Sequence, residues 1–169
     1  MEKVLITGAS GLLGKVIAEK LKKQGYKVLS LSRTAKNNNN VFIWNVDKGT
    51  IDENAVKSAD YIIHLAGEGI ADKKWTAERK KQIIESRANS TALLLKAIKN
   101  SGATIKAFVS ASAVGYYGAV NSEKIYTEND LPADDFLGTS CRIWEDSVDK
   151  ISAEGIRTVK YRIGVVLSK

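Results

Sequence analysis

The chain reads as a three-layer α/β domain: a doubly wound parallel sheet with helices on both faces. Three observations predict it. Short apolar runs alternate with amphipathic segments along the length of the chain. Several of those runs are continuous rather than alternating, as in strands buried on both faces. A glycine triplet, Gly8, Gly11 and Gly14, joins the first apolar run to the first amphipathic segment.

Each element follows from local pattern. Lys3–Thr7 is a strand, with Val4, Leu5 and Ile6 in succession. Leu12–Gln24 is a helix: Leu13, Ile17 and Leu21 recur at helical spacing and Gly25 stands just past the end. Lys27–Ser32 is the second strand, Asn37–Asn40 a polar turn and Val41–Val46 the third strand. Asp52–Ser58 is a short helix and Tyr61–Leu65 the fourth strand. Thr76–Asn100 is a long helix with a basic start at Arg79, Lys80 and Lys81, read as a solvated face. Ile105–Ser112 is the fifth strand, Asp134–Glu154 a helix and Arg157–Ile163 the sixth strand. The stretch 115–132 lacks periodicity, and loops of that length are uncommon unless functional. Parallel strands joined by right-handed crossovers place a ligand site at their carboxyl ends.

Composition bounds the function. The 169 residues suffice for one domain, 1–169, with a sizeable core. No apolar run spans a bilayer and no secretory signal opens the chain, so no membrane partner and a cytoplasmic location are expected. One cysteine, Cys141, excludes an internal disulfide and an all-cysteine metal site, and no metal site is expected. The net charge of +7 reads as lysines on solvated helix faces. No basic stripe is interleaved with aromatics, so nucleic acid is not the expected partner.

The glycine triplet carries the first functional signal. Gly8 allows a tight turn at the strand end, Gly11 lets backbone approach a pyrophosphate, and Gly14 lets the helix pack close to the sheet. The loop Gly8, Ala9, Ser10, Gly11, Leu12, Leu13, Gly14 then offers free N–H groups to phosphate at a helix amino end. The second strand ends Leu31-Ser32-Arg33-Thr34, with Lys36 behind and no carboxylate. Arg33 can fork onto a ribose 2′-phosphate, which favours NADP over NAD as the cofactor. Asp47, past the third strand, is placed to accept from an adenine amino group. His64 sits in an apolar strand and reads as structural; Glu68 either meets a substrate hydroxyl or organises its loop.

The stretches "TGASGLLG", "HLAGEGI", "SRANSTALL" and "SASAVGYYG" resemble the short-chain dehydrogenase/reductase superfamily in its extended, epimerase-like form, a Rossmann fold. "HLAGEGIADKKWTAERKKQIIESR" and "DDFLGTSCRIWE" resemble the branch of epimerase family proteins. The resemblance implies that Leu65, Ala66 and Gly67 border the cofactor, that Asn89 and Thr91 match a motif of the central helix, and that Ser110 lies among cofactor contacts. It implies that Ser112 is the catalytic serine and Arg162-Ile163-Gly164 the strand leading to the substrate lobe. It also implies an oxidoreductase or epimerase acting by hydride transfer on a small-molecule substrate, sugar nucleotides included. The superfamily pair Tyr-x-x-x-Lys does not occur; the aligned positions hold Leu137 and Cys141. Tyr116 and Tyr117 are the nearest phenols to Ser112 and the candidate acids, unless they are packing residues at the cleft rim. Without the pair, a non-catalytic NADP-binding sensor or scaffold is the alternative. A carboxyl-terminal substrate lobe is expected of the family beyond Lys169. The long helices are expected either to pair two copies into a homodimer or simply to cover the sheet.

Overall fold

The computed structural model describes residues 1–34, 38–119 and 123–167. Its elements are β1 (Lys3–Thr7), α1 (Leu12–Lys23), β2 (Lys27–Ser32), β3 (Val41–Asn45), β4 (Thr50–Ile51), α2 (Glu53–Lys57), β5 (Tyr61–His64), α3 (Ala77–Ser101), β6 (Ala107–Ala113), a 3-10 turn (Val114–Tyr117), α4 (Phe136–Ser152) and β7 (Thr158–Ile163). The strands form one sheet in the order β4-β3-β2-β1-β5-β6-β7. The chain winds outward from β1 through β2 and β3, then restarts on the other side with β5, β6 and β7. That reversal puts the switch point between β1 and β5, where a doubly wound sheet opens its ligand crevice.

Side chains alternate between the two faces of each strand. Leu5, Leu29, Leu31, Ile62 and Phe108 pack against Val56 of α2, Leu94 and Ala97 of α3, and Trp144, Val148 and Ile151 of α4. Val4, Ile6 and Val28 face the other way, onto Ile17, Ala18 and Leu21 of α1. The central strands are thus covered twice, which explains their continuous apolar runs.

The all-parallel expectation needs one correction. β4 pairs antiparallel with β3, Trp44 opposite Ile51. A tight turn makes this hairpin: Gly49 has φ +63, its N–H donates to Val46 O at 3.1 Å, and Lys48 N–H donates to Asn45 Oδ1 at 2.9 Å. Helix starts also move. Asp135 is the cap of α4, its carboxylate accepting from Gly138 N–H at 2.8 Å, so the helix opens at Phe136 rather than Asp134. Thr76 caps α3 in the same way, accepting from Arg79 N–H at 3.2 Å. β6 begins at Ala107 rather than Ile105. In the polar turn before β3, Asn38 Oδ1 accepts from Asn40 N–H at 2.9 Å, while Lys36 and Asn37 lie outside the described residues.

Candidate functional site

At the end of β1 the chain turns through Gly8, whose φ of +69 favours glycine. Gly11 N–H closes the turn onto Gly8 O at 3.0 Å, and Lys15 N–H starts the helical ladder on Gly11 O at 3.0 Å. A Cβ at Gly14 would stand 2.2 Å from Gly8 O and 2.7 Å from Ala9 Cα, so the loop folds back only over a glycine. A Cβ at Gly8 would press to 3.0 Å on the Leu65 carbonyl. α2, α3 and α4 each have a capping side chain, whereas α1 starts at Gly11 with none and has no acidic residue in its first turn. Its first N–H groups are left for something else to satisfy.

A cleft of about 690 Å³ opens there. Its lining takes Gly8, Ala9, Ser10 and Gly11 from the loop, Ser32, Arg33 and Thr34 from the end of β2, and Trp44 to Asp47 from the end of β3. Across the switch point it takes Leu65 to Glu68 after β5, with Ser86 and Ser90 from α3. Arg33 is exposed and makes no ion pair among the described residues. The side chains of Leu12 and Leu13 and the Gly14 backbone are not part of this lining; Leu12 is exposed and Gly14 is buried under the turn it permits.

The segment after β5 is non-repetitive, yet side chains hold much of its backbone. Thr7 Oγ1 accepts from Leu65 N–H and Ala66 N–H, both at 3.1 Å. Ser86 Oγ accepts from Glu68 N–H at 3.1 Å, and Arg87 donates to Glu68 O at 3.0 Å. Arg79 donates to Gly69 O at 2.7 Å and to Glu68 Oε2 at 2.9 Å; Trp75 Nε1 donates to Ile70 O at 2.7 Å. These contacts correct the reading of the α3 start as a solvated basic face. Arg79 is 8% exposed and pins the loop, although Lys81 remains solvated beside Glu85. Glu68 organises the loop through the same pair.

His64 is fully enclosed at the end of β5. Burial first, and the Arg87 charge second, push its imidazole down to about 3. Asn89 points to solvent from α3, one residue from Ser90 on the cleft side. Ser86 and Ser90, spaced i,i+4 on one helix face, are cleft residues to which the family-like motifs assign no role; that spacing is their signal in the sequence. Ser110 is wholly buried in β6, its hydroxyl donating to Ala111 O at 2.9 Å, and does not line the cleft.

Ser112 lies away from the cleft lining, 3% exposed. Its hydroxyl donates to Glu145 Oε1 at 2.6 Å. Glu145 accepts a two-pronged contact from Arg162, Nε to Oε1 and Nη2 to Oε2, each at 2.9 Å. Burial alone would raise the Glu145 carboxyl, but the Arg162 and Ser112 hydrogen bonds outweigh it and hold it below its usual range. The Glu145 hydrogen bond in turn raises the Arg162 guanidinium. Arg162 also donates to Tyr117 Oη at 2.9 Å and lies 3.5 Å from the Tyr116 ring centre. Tyr117 donates onward to Thr127 O at 2.9 Å and stacks on Tyr126 at 4.9 Å. The Ser112, Tyr116 and Tyr117 cluster therefore sits on a buried ion pair that ties β6, β7, α4 and the following loop together. Leu137 and Cys141 face this turn: a Cβ at Gly115 would lie 3.5 Å from Leu137 Cβ and 3.7 Å from Cys141 Sγ. Burial pushes the Cys141 thiol up.

A sheet wound both ways from β1, with a glycine turn entering an uncapped helix at the switch point, is a Rossmann-type architecture. The chain belongs to the NAD dependent epimerase/dehydratase family, whose model matches residues 4–140. The epimerase family protein Mb2239 of Mycobacterium bovis is 34% identical over 98% of this chain and 54% of that protein. The crystal structure of a nucleoside-diphosphate sugar epimerase from Corynebacterium glutamicum superposes with a TM-score of 0.85 at 34% identity, covering 99% of this chain and 34% of that one. The human epimerase family protein SDR39U1 (isoform 2), solved with NADPH, superposes with a TM-score of 0.84 at 28% identity, covering 99% and 55%. The chain spans about half the length of the curated relatives it matches. Among the described residues, no helix is long and apolar enough to cross a membrane.

Proposed function

We propose that this chain is the NADP(H)-binding part of an oxidoreductase or epimerase-like protein. The observation that carries the proposal is that the uncapped end of α1 and the Arg33 guanidinium open onto one cleft. The turn fits a pyrophosphate because it folds tightly over Gly14, where a Cβ would strike Gly8 O and Ala9 Cα, and so leaves the amino end of α1 uncovered at the cleft. The free N–H groups at the amino end of α1, those of Leu12 and Leu13 beyond the Gly11 turn, hold the diphosphate, Arg33 holds a ribose 2′-phosphate, and Asp47 accepts from the adenine amino group. Leu65, Ala66 and Gly67 form the opposite wall. The relative solved with NADPH supports the choice of phosphate-bearing cofactor. When bound, the nicotinamide supplies a hydride donor or acceptor for a hydroxyl-bearing carbon of a small-molecule substrate, a sugar nucleotide being the class the relatives suggest.

A second reading, binding without turnover, is favoured by one arrangement. The Ser112 proton is committed to Glu145, and Leu137 and Cys141 offer neither an acid nor a cation. For the chain as it stands, a cofactor-binding module fits this geometry better than a complete active site.

Titrating NADPH and NADH into the wild-type chain and Arg33→Ala tests the main reading. A charge-assisted, forked contact is worth about 1.5–3 kcal/mol, so NADPH binds roughly 10- to 100-fold tighter than NADH and the variant loses the difference. Equal affinities in the wild type would refute the assignment of Arg33. The second reading is tested by following NADPH absorbance with a panel of carbonyl compounds: consumption of bound NADPH refutes it.

A further inference from the structure

His64, the single histidine of the sequence, pairs with Thr7 across the β1–β5 ladder. Its Nδ1 lies 2.7 Å from Thr7 Oγ1, and its Nε2 lies 3.2 Å from Ser90 Oγ and 3.3 Å from Thr91 Oγ1. Counting donors assigns the protons. Thr7 Oγ1 accepts from Leu65 and Ala66 N–H, which engages both lone pairs. Its one proton therefore goes to His64 Nδ1, which must be bare. On the other side, the Ser90 and Thr91 hydroxyls donate to Arg87 O at 3.0 and 2.9 Å. Their oxygens are left to accept, so Nε2 carries the ring proton. The two sides give the same tautomer independently. The opposite tautomer would aim three donors at the two lone pairs of Thr7 and two acceptors at a bare Nε2.

We propose that His64, as its Nε2–H tautomer, is a positioning residue for the cleft: by accepting the Thr7 hydroxyl hydrogen bond it directs both Thr7 lone pairs at the Leu65 and Ala66 amides, and it ties that wall to α3 through Ser90 and Thr91. The inference rests on the reading of the cleft as a cofactor site, because Leu65, Ala66 and Ser90 line it. The wall is thereby rigid before any ligand arrives, and its spacing from the glycine turn is set by a buried ring rather than by a mobile loop. Ala66 is the sharper reporter, since Leu65 N–H also reaches Thr7 O at 3.3 Å.

The test uses the ligand-free chain first. Side-chain nitrogen NMR should show one imidazole species, protonated at Nε2 and bare at Nδ1; an Nδ1–H ring or a tautomer mixture would overturn the proposal. Amide exchange at Ala66 should quicken at least tenfold in Thr7→Val and return near the wild-type rate in Thr7→Ser, with Val4 and Ile6 amides still protected as the control for folding. Unchanged Ala66 exchange in Thr7→Val overturns it. Should Thr7→Val fail to fold, the wild-type tautomer and the Thr7→Ser exchange rate decide. NADPH affinity should fall at least tenfold in Thr7→Val and recover in Thr7→Ser; equal affinity in all three removes the positioning role. Absence of NADPH binding by the wild type would instead refute the functional reading, while the NMR and exchange results still judge the hydrogen-bond lock.

Discussion

Acidification should weaken the fold through His64 alone before any carboxylate takes part. The imidazole is enclosed and its basicity is lowered from the usual 6.5 to about 3. In the unfolded chain it returns to 6.5, so between those values the unfolded state binds the extra proton. The stabilisation is therefore fully present above pH 6.5 and is lost as pH falls toward 3. Linkage gives about 1.4 kcal/mol for each pH unit below the unfolded value, hence about 2 kcal/mol by roughly pH 5. That is a large part of a domain stability of about 5–15 kcal/mol. The carboxylates held low in the fold act in a lower window: Glu2 and Glu145 lose their contributions below their ordinary value of 4.5, Asp60, Asp130 and Asp135 below 3.8. One histidine in the sequence makes the attribution clean. Urea unfolding at matched ionic strength, at about pH 7 and about pH 5, reads the difference directly. A midpoint free energy that is flat across that range would mean the ring charges in the folded state, and the buried neutral imidazole would be wrong. His64→Asn should abolish the slope even though it lowers stability at neutral pH.

Gly14→Ala forces a Cβ to 2.2 Å from Gly8 O, so it should cost about 1–3 kcal/mol in urea unfolding and remove NADPH binding by calorimetry. Glu145→Ala leaves Arg162 and Ser112 without that acceptor, the side chains of Glu145 and Arg162 being 6% and 16% exposed; the loss should be about 3–5 kcal/mol, well above that of Glu2→Ala at the solvated Lys106 pair. Ser112→Ala removes one hydrogen bond to a charged group, about 1–3 kcal/mol of stability, and should leave NADPH affinity within roughly twofold; a collapse of affinity would place the hydroxyl in the binding site after all.

What the sequence made legible was whatever is encoded within one turn of chain. The glycine turn was readable because Gly8, Gly11 and Gly14 meet one another within seven residues, and the structure brings them into a single loop with Gly8 O at its centre. β1 and β5 were readable because burial on both faces leaves an unbroken apolar run. β4 was not, since a two-residue strand has no period to detect. Arg79 was misread because its burial depends on Glu68 and Gly69, which belong to a different element; locally it is one basic residue among three. Ser90 was overlooked beside Asn89 because a one-residue step rotates a helical side chain by about a quarter turn, and only the sheet decides which one faces in. The position of Ser112 was evident, but its partner Glu145 lies on α4, and no local pattern couples them.

The carboxyl edge of the sheet is built in two contrasting halves, and the contrast is physical. At the glycine turn after β1 and at the end of β2, polar groups are left without internal partners: the first N–H groups of α1 have no cap, and Arg33 has no ion pair among the described residues. Such groups are satisfied by water or by an anionic ligand, and the cleft that collects them is open. Around β6 and β7, partners are internal. Ser112, Glu145, Arg162 and Tyr117 satisfy one another, and the Arg162 guanidinium lies over the Tyr116 ring. The two halves share no hydrogen bond among those described for these groups. Perturbations should therefore separate: changes at Gly14 or Arg33 move NADPH affinity with a readable effect on binding, while changes at Glu145 or Arg162 move stability. A double variant combining Arg33→Ala with Ser112→Ala should show additive effects within about 0.5 kcal/mol in NADPH affinity. Coupling above about 1 kcal/mol would mean that the ion pair under β6 communicates with the cleft, and the division of the edge into a binding half and a structural half would fail.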